Sequence, residues 1–345
     1  MPTVLHEFAR RLPKAELHVH LEGSIQPATL LQLGQKNGQA LPAPDEAGLR
    51  AYYRFRDFSY FLNLYITILK CLRTPDDYRL IAYEFGREAA RQNIRYAEVT
   101  FTIISNAYYS GLPWQAILDG LNQGRVEAAA EFGVRWGWIF DIVRDRPDLQ
   151  DEVVDMALAG REQGVVALGL AGDERMDHAI TFQPAFDRAA AACLPGIPHT
   201  GELSGPDKIW EVIRYLKPRR LQHGVRAIED PALVAYLRDK GIGIDLCPTS
   251  NIRLGVYPDY PSHPLRQLWD AGLLVTVNSD DPPLFNTDLN NEYETLVDHF
   301  NFTADELAQA SLNGVAASVL PEDEKAALDA EFREDIARLR AELGC

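Results

Sequence analysis

Short apolar runs rich in β-branched and aromatic residues recur along the chain, separated by stretches with apolar residues at helical spacing. Eight of these runs read as strands: Ala15–Leu21, Ile94–Phe101, Val134–Phe140, Val165–Leu170, Ile197–Thr200, Arg220–His223, Ile242–Cys247 and Leu274–Asn278. Helical patterns between them include Asp76–Gln92, Trp114–Glu131, Leu149–Gln163, Pro184–Ala192 and Pro231–Lys240. Alternating strand and helix predicts a parallel sheet of the α/β class. Eight strands in about 280 residues fit a closed (β/α)8 TIM barrel. A doubly wound open sheet competes with it. That arrangement is weakened because no G-x-G-x-x-G follows the first strand and polar residues collect at many strand ends, not at one switch point.

Two segments fall outside the repeat. Phe55–Leu72 is long, apolar and aromatic, and reads as an extra helical insertion after the first strand, either packed in the core or walling the barrel mouth. Pro321–Leu343 alternates charges with Ala and Leu at helical spacing, which predicts a C-terminal helix packed on the outside. No linker or low-complexity tract divides the chain, so residues 1–345 are read as a single domain.

Charge narrows the partners. There are 50 acidic against 34 basic side chains, a formal net charge of -16, which disfavours nucleic acid and anionic lipid surfaces. No apolar run is long enough for a membrane helix, no signal-peptide pattern opens the chain, and the 4 cysteines are scattered. We expect a soluble, reduced, cytoplasmic protein that acts on a small molecule.

In a (β/α)8 barrel, reacting groups project from the C-terminal ends of the strands. Those positions read His18-Val19-His20, Gly172-Asp173-Glu174, His199-Thr200-Gly201-Glu202, His223-Gly224 and Asp280-Asp281-Pro282. Of the 8 histidines, His6, His178, His263 and His299 lie elsewhere and carry no such pattern. His18 and His20 are two apart on a strand, so both imidazoles face the barrel interior, and a divalent metal is the usual way to satisfy such a pair. With His199 and Asp280 they form an imidazole and carboxylate set without thiolate, which suits zinc, with iron or manganese also fitting, and leaves one position for water. Glu202 reaches the same cavity after the turn at Gly201. The lesser alternative is an N-cap or first-turn carboxylate of the next helix. His223 ends an apolar strand beside the proposed metal, and Asp281 adjoins a ligand, a like-charge pair tolerable next to a cation. Binuclear metallohydrolases on this fold need a bridging group, typically a lysine on the fourth strand, and Val165–Gly172 has none. One metal per chain is expected.

These motifs, LPKAELHVHLEGS, GLAGDE, HTGE, QHGVRAIED, CPTSN and VNSDDP, lie in order over nearly the whole chain, which resembles the adenosine deaminase family of metal-dependent amidohydrolases. The resemblance implies zinc on His18, His20, His199 and Asp280. It further implies Glu202 as the acid that protonates the purine, and His223 and Asp281 as the pair that orients and activates water. Gly172 would be a backbone donor to a ring nitrogen, with His20 and Asp281 also meeting the substrate. The cytidine-type zinc deaminases differ, since Cys247-Pro248 is followed by no second cysteine.

The implied reaction is hydrolytic deamination of adenosine or 2′-deoxyadenosine, with adenine or a 5′-modified adenosine such as aminodeoxyfutalosine as the alternative. Many adenosine deaminases carry HLDG, the Asp contacting the ribose 5′-hydroxyl, where this chain has Glu22. We expect Glu22 at the barrel mouth, reading the sugar. A carboxylated substrate would call on an arginine such as Arg54, Arg56 or Arg253.

Overall fold

The computed structural model describes residues 3–53 and 58–345. Eight strands, β1 (Lys14–His20), β2 (Ile94–Phe101), β3 (Arg135–Val143), β4 (Val165–Ala171), β5 (Gly196–Thr200), β6 (Arg220–His223), β7 (Gly243–Leu246) and β8 (Val275–Val277), run parallel and pair in chain order. A bridge between Val19 and Asp280 joins the end of the sheet to its start: the His20 amide donates to the Asp280 carbonyl at 2.9 Å, and the Asp280 amide to the His18 carbonyl at 3.1 Å. The result is the predicted (β/α)8 barrel, with strand ends displaced by a few residues.

Two packing layers hold it. The main core lies between the sheet and the surrounding helices, and buries Leu17, Val19, Val99, Phe101 and Phe140 at 0% exposure. Each such side chain contributes about 1.5–3 kcal/mol. Inside the barrel, Ile139, Ala167 and Ile197 form a separate apolar cluster closed by Val319. Opposite them the interior is ionic: the buried Arg220 donates to Asp245 at 2.6 Å, to Glu98 at 2.7 Å and to the Leu17 and Ala317 carbonyls. This filled interior gives the strand ends above it a rigid base.

The β1–β2 register shifts between Glu16 and Val19, a local bulge. There the Leu17 and His18 amides both donate to Asn278 Oδ1, at 2.8 and 3.1 Å. Glu16 instead bonds the Ser279 amide at 3.2 Å, bracing the segment that leads into Asp280.

Between β1 and β2 the helices Pro27–Lys36, Glu46–Tyr52 and Phe58–Cys71 precede Pro75–Arg91, which a Thr74/Asp77 capping box starts. The predicted Phe55–Leu72 insertion is thus a helix from Phe58, while Phe55, Arg54 and Arg56 lie outside the described residues. This helix does both things expected of it. Leu64 and Ile68 are buried in the core, and the Tyr65 hydroxyl stands 3.2 Å from Thr102 Oγ1 just past the end of β2. The last helix, Glu322–Leu343, buries Leu328, Phe332, Ile336 and Leu339 along one face. Among the described residues no helix is long and apolar enough to cross a membrane.

Candidate active site

The strand ends bring four imidazoles together. The His18 ring centroid lies 5.6 Å from that of His20, 4.8 Å from His199 and 4.5 Å from His223. Ring nitrogens of His18, His20 and His199 fall within 4.8 Å of one another. Asp280 Oδ1 is 3.4 Å from both His18 Nε2 and His20 Nε2, too long for good hydrogen bonds. His20 Nε2 and His199 Nε2 stand 3.1 Å apart. Ligands held tetrahedrally at about 2.0–2.1 Å from one cation stand about 3.3–3.4 Å apart, so the spacing fits a shared metal ion.

Outer contacts aim these atoms. His199 Nδ1 lies 3.1 Å from the Leu170 carbonyl, which places the proton on Nδ1 and turns the Nε2 lone pair inward. His18 Nδ1 meets the Cys247 thiol at 3.5 Å, and its buried Nε2 has no hydrogen-bond partner. Burial pushes that thiol well above its usual pKa, which leaves the set one of imidazole and carboxylate. Ser250 Oγ donates to Asp280 Oδ2 at 2.6 Å. Burial lowers His20 to about 4 and holds His199 well below its ordinary value, so both imidazoles are neutral. For Asp280 burial acts upward, but its neighbour His18 outweighs it and holds the carboxyl well below its ordinary value. His223 and Asp280 take φ of 64° and 65°, left-handed values that strain non-glycine residues and recur at functional sites.

Glu202 faces this group, with Oε2 3.5 Å from His223 Nε2. Its pKa is raised well above the carboxylate range, first by burial and then by the charges of Asp280 and Glu174. Burial also keeps His223 neutral, near 3. Burial thus favours the proton on Glu202 and the neutral form of His223 beside it. The turn at Gly201 has φ 69°, as expected for a residue that swings the chain into the cavity.

Glu174, in GLAGDE, was given no role from sequence, yet it holds the whole 201–204 turn. Its carboxylate accepts the amides of Gly201 at 2.7 Å, Glu202 at 2.8 Å, Ser204 at 2.7 Å and, closer still, Leu203. Asn251 Nδ2 donates to Glu202 Oε1 at 3.1 Å, while Asn251 Oδ1 meets His263 Nε2 at 3.1 Å. So His263, read as patternless, steadies the residue that steadies the acid. Asn251 lay within CPTSN, and that motif was the only signal for it.

Asp281 is buried beside the start of the Glu22–Ser24 turn, with Oδ1 unpartnered. A Cβ on Gly23 would overlap the Asp281 carboxyl, so HLEG needs its glycine for close approach. Burial, then Asp280, Glu22 and Glu202, raise Asp281 well above the ordinary range. Gly172 follows β4 with φ 96°. Glu22 is fully buried, and its Oε1 already accepts the Thr102 amide at 3.0 Å and Asn106 Nδ2 at 2.6 Å, while Oε2 has no partner. Arg253 donates to the Phe285 carbonyl at 3.3 Å and is exposed.

The adenosine deaminase family model matches residues 13–334. An aminodeoxyfutalosine deaminase of Streptomyces avermitilis is 39% identical over 331 residues, 95% of this chain and 92% of the relative. The crystal structure of an adenine deaminase from Arthrobacter aurescens superposes with TM-score 0.88 at 32% identity, covering 94% of this chain and 98% of that one. A Zn-bound amidohydrolase from Burkholderia ambifaria superposes with TM-score 0.92 at 29% identity, covering 100% and 96%. Barrel, histidine and carboxylate cluster, motif order and whole-length similarity agree, and the chain belongs to the adenosine deaminase family, a family of metal-dependent hydrolases that remove amino groups from purines.

Proposed function

We propose that the protein removes the 6-amino group from a 5′-modified, carboxylated adenine nucleoside of the aminodeoxyfutalosine type, releasing ammonia. The observation that carries the chemistry is Glu202 Oε2 held 3.5 Å from His223 Nε2, beside clustered His18, His20 and His199 with Asp280 3.4 Å from two of them. The substrate class is supported by the Streptomyces relative, whose name is for aminodeoxyfutalosine, and this replaces the adenosine and 2′-deoxyadenosine expected from sequence. Free adenine is the second reading, favoured by the Arthrobacter structure.

His18, His20, His199 and Asp280 would hold one zinc ion. Bound there, zinc lowers the pKa of water toward neutrality and supplies the nucleophile for C6. Glu202 gives its proton to N1, which makes C6 electrophilic, and the Gly172 amide donates to a second ring nitrogen. His223 accepts a proton from the attacking water, and Asp281 orients that water or the five-membered ring. On collapse His223 returns its proton to the departing amine and Glu202 takes one from the new hydroxyl. Ammonia leaves and a 6-oxopurine remains.

Ammonia release measured over aminodeoxyfutalosine, adenine, adenosine and 2′-deoxyadenosine tests this directly. The first should give the highest kcat/KM. Preference for adenine would favour the second reading, and no release from any of them would end both.

A further inference from the structure

Asp141 on β3 has no part in the chemistry above, yet it points into the same cavity. Its strand neighbour Ile139 belongs to the apolar cluster inside the barrel, and residues two apart on a strand share a face. Across from Asp141, Gly169 of β4 lets the two strands pack closely: a Cβ there would stand only 3.1 Å from the Asp141 Cβ. Thr102 joins Asp141 to Glu22, with Thr102 N donating to Glu22 Oε1 at 3.0 Å and Thr102 Oγ1 to Asp141 Oδ2 at 3.3 Å. The Tyr65 ring hydroxyl lies among Glu22, Asp141 and Asp281.

Three buried carboxyl oxygens in this region have no hydrogen-bond partner: Glu22 Oε2, Asp141 Oδ1 and Asp281 Oδ1. Buried acceptors left unpaired are costly, so a wall of them calls for a ligand that brings donors. A neutral sugar carries hydroxyl donors and no charge.

We propose that Asp141 accepts a hydrogen bond from a sugar hydroxyl of the substrate, adding to the sugar contact that the resemblance implies for Glu22, and so selects a nucleoside over the free base. This rests on the deaminase reading above and deepens it.

The test measures kcat and KM for adenosine, 2′-deoxyadenosine, 3′-deoxyadenosine and adenine on the wild type, Asp141→Asn and Asp141→Ala, with melting curves for each protein. Removing the hydroxyl that meets Asp141 should lower wild-type kcat/KM by about 10–100-fold, chiefly through KM. In the Asp141 variants that penalty should shrink to within about threefold, with adenosine losing more than adenine. The isosteric Asn variant keeps the test open if the Ala variant folds poorly. A deoxy penalty unchanged in the variants would overturn the proposal, as would an equal loss for adenine and nucleosides. Ammonia released by the wild type from aminodeoxyfutalosine but from none of the four would overturn this inference and leave the deaminase reading standing, whereas release from none of the five would overturn both.

Discussion

Glu174→Gln is the sharpest probe of how the acid is held. In the wild type one carboxyl oxygen takes the Gly201 amide and the other takes those of Glu202, Leu203 and Ser204. A Gln must turn its NH2 toward one of these groups, so at least one buried amide is left facing a donor. That costs about 1–3 kcal/mol of stability. The larger effect is on catalysis, because the same turn carries Glu202, and a displacement of about 1 Å at a reacting group costs roughly 10²-fold. The Glu174 charge also helps keep Glu202 protonated. The sign follows: without that charge Glu202 releases its proton at lower pH, so the alkaline limb of kcat moves to lower pH. We therefore expect kcat to fall about 100-fold, KM to change little, bound metal to persist and the profile to shift acidward. Steady-state ammonia release across pH, metal quantification and melting curves read all four. A variant within about threefold of wild-type kcat, with an unmoved alkaline limb, would refute the bracing role.

Glu202→Gln removes the proton donor but no proposed ligand, so kcat should drop by roughly 10²–10⁴ with metal content unchanged. Loss of metal in this variant would make Glu202 a ligand. Gly23→Ala places a methyl where the Asp281 carboxyl sits, and should lower kcat/KM at least about tenfold in a protein that still binds metal. Glu292 is buried beneath Thr249 and Thr287, and burial raises its pKa to about 7. Its native form therefore holds a proton that the unfolded chain has lost, and this contribution to stability disappears as pH rises from about 4.5 to about 7. Glu292→Gln lacks that loss, so its stability relative to wild type should climb by up to about 3 kcal/mol over the window, measurable by denaturant unfolding at several pH values.

Much of the site was legible because its chemistry sits where period and topology put it. Two-residue spacing in HVH, strand-end histidines and a terminal DD pair are local signals, and a barrel converts them into one cluster without further information. What escaped was what depends on contacts between distant segments. Glu174 meets the 201–204 turn 27 or more residues away, and nothing in GLAGDE distinguishes a carboxylate that braces from one that reacts. His263 reaches Glu202 only through Asn251. The β1 bulge is invisible to alternation because Asn278, which satisfies its two amides, comes from β8's far end. Glu22 was expected at the barrel mouth, reading the sugar. Half of its carboxylate is already occupied by Thr102 and Asn106.

The most direct test strips the protein with chelator, adds zinc in steps and follows conversion of the 6-aminopurine to the 6-oxopurine by absorbance. The mechanism predicts no conversion in stripped protein and recovery that saturates at one zinc per chain. His199→Ala should neither bind the ion nor recover. Full activity in metal-free protein, or a requirement for two equivalents, would contradict it.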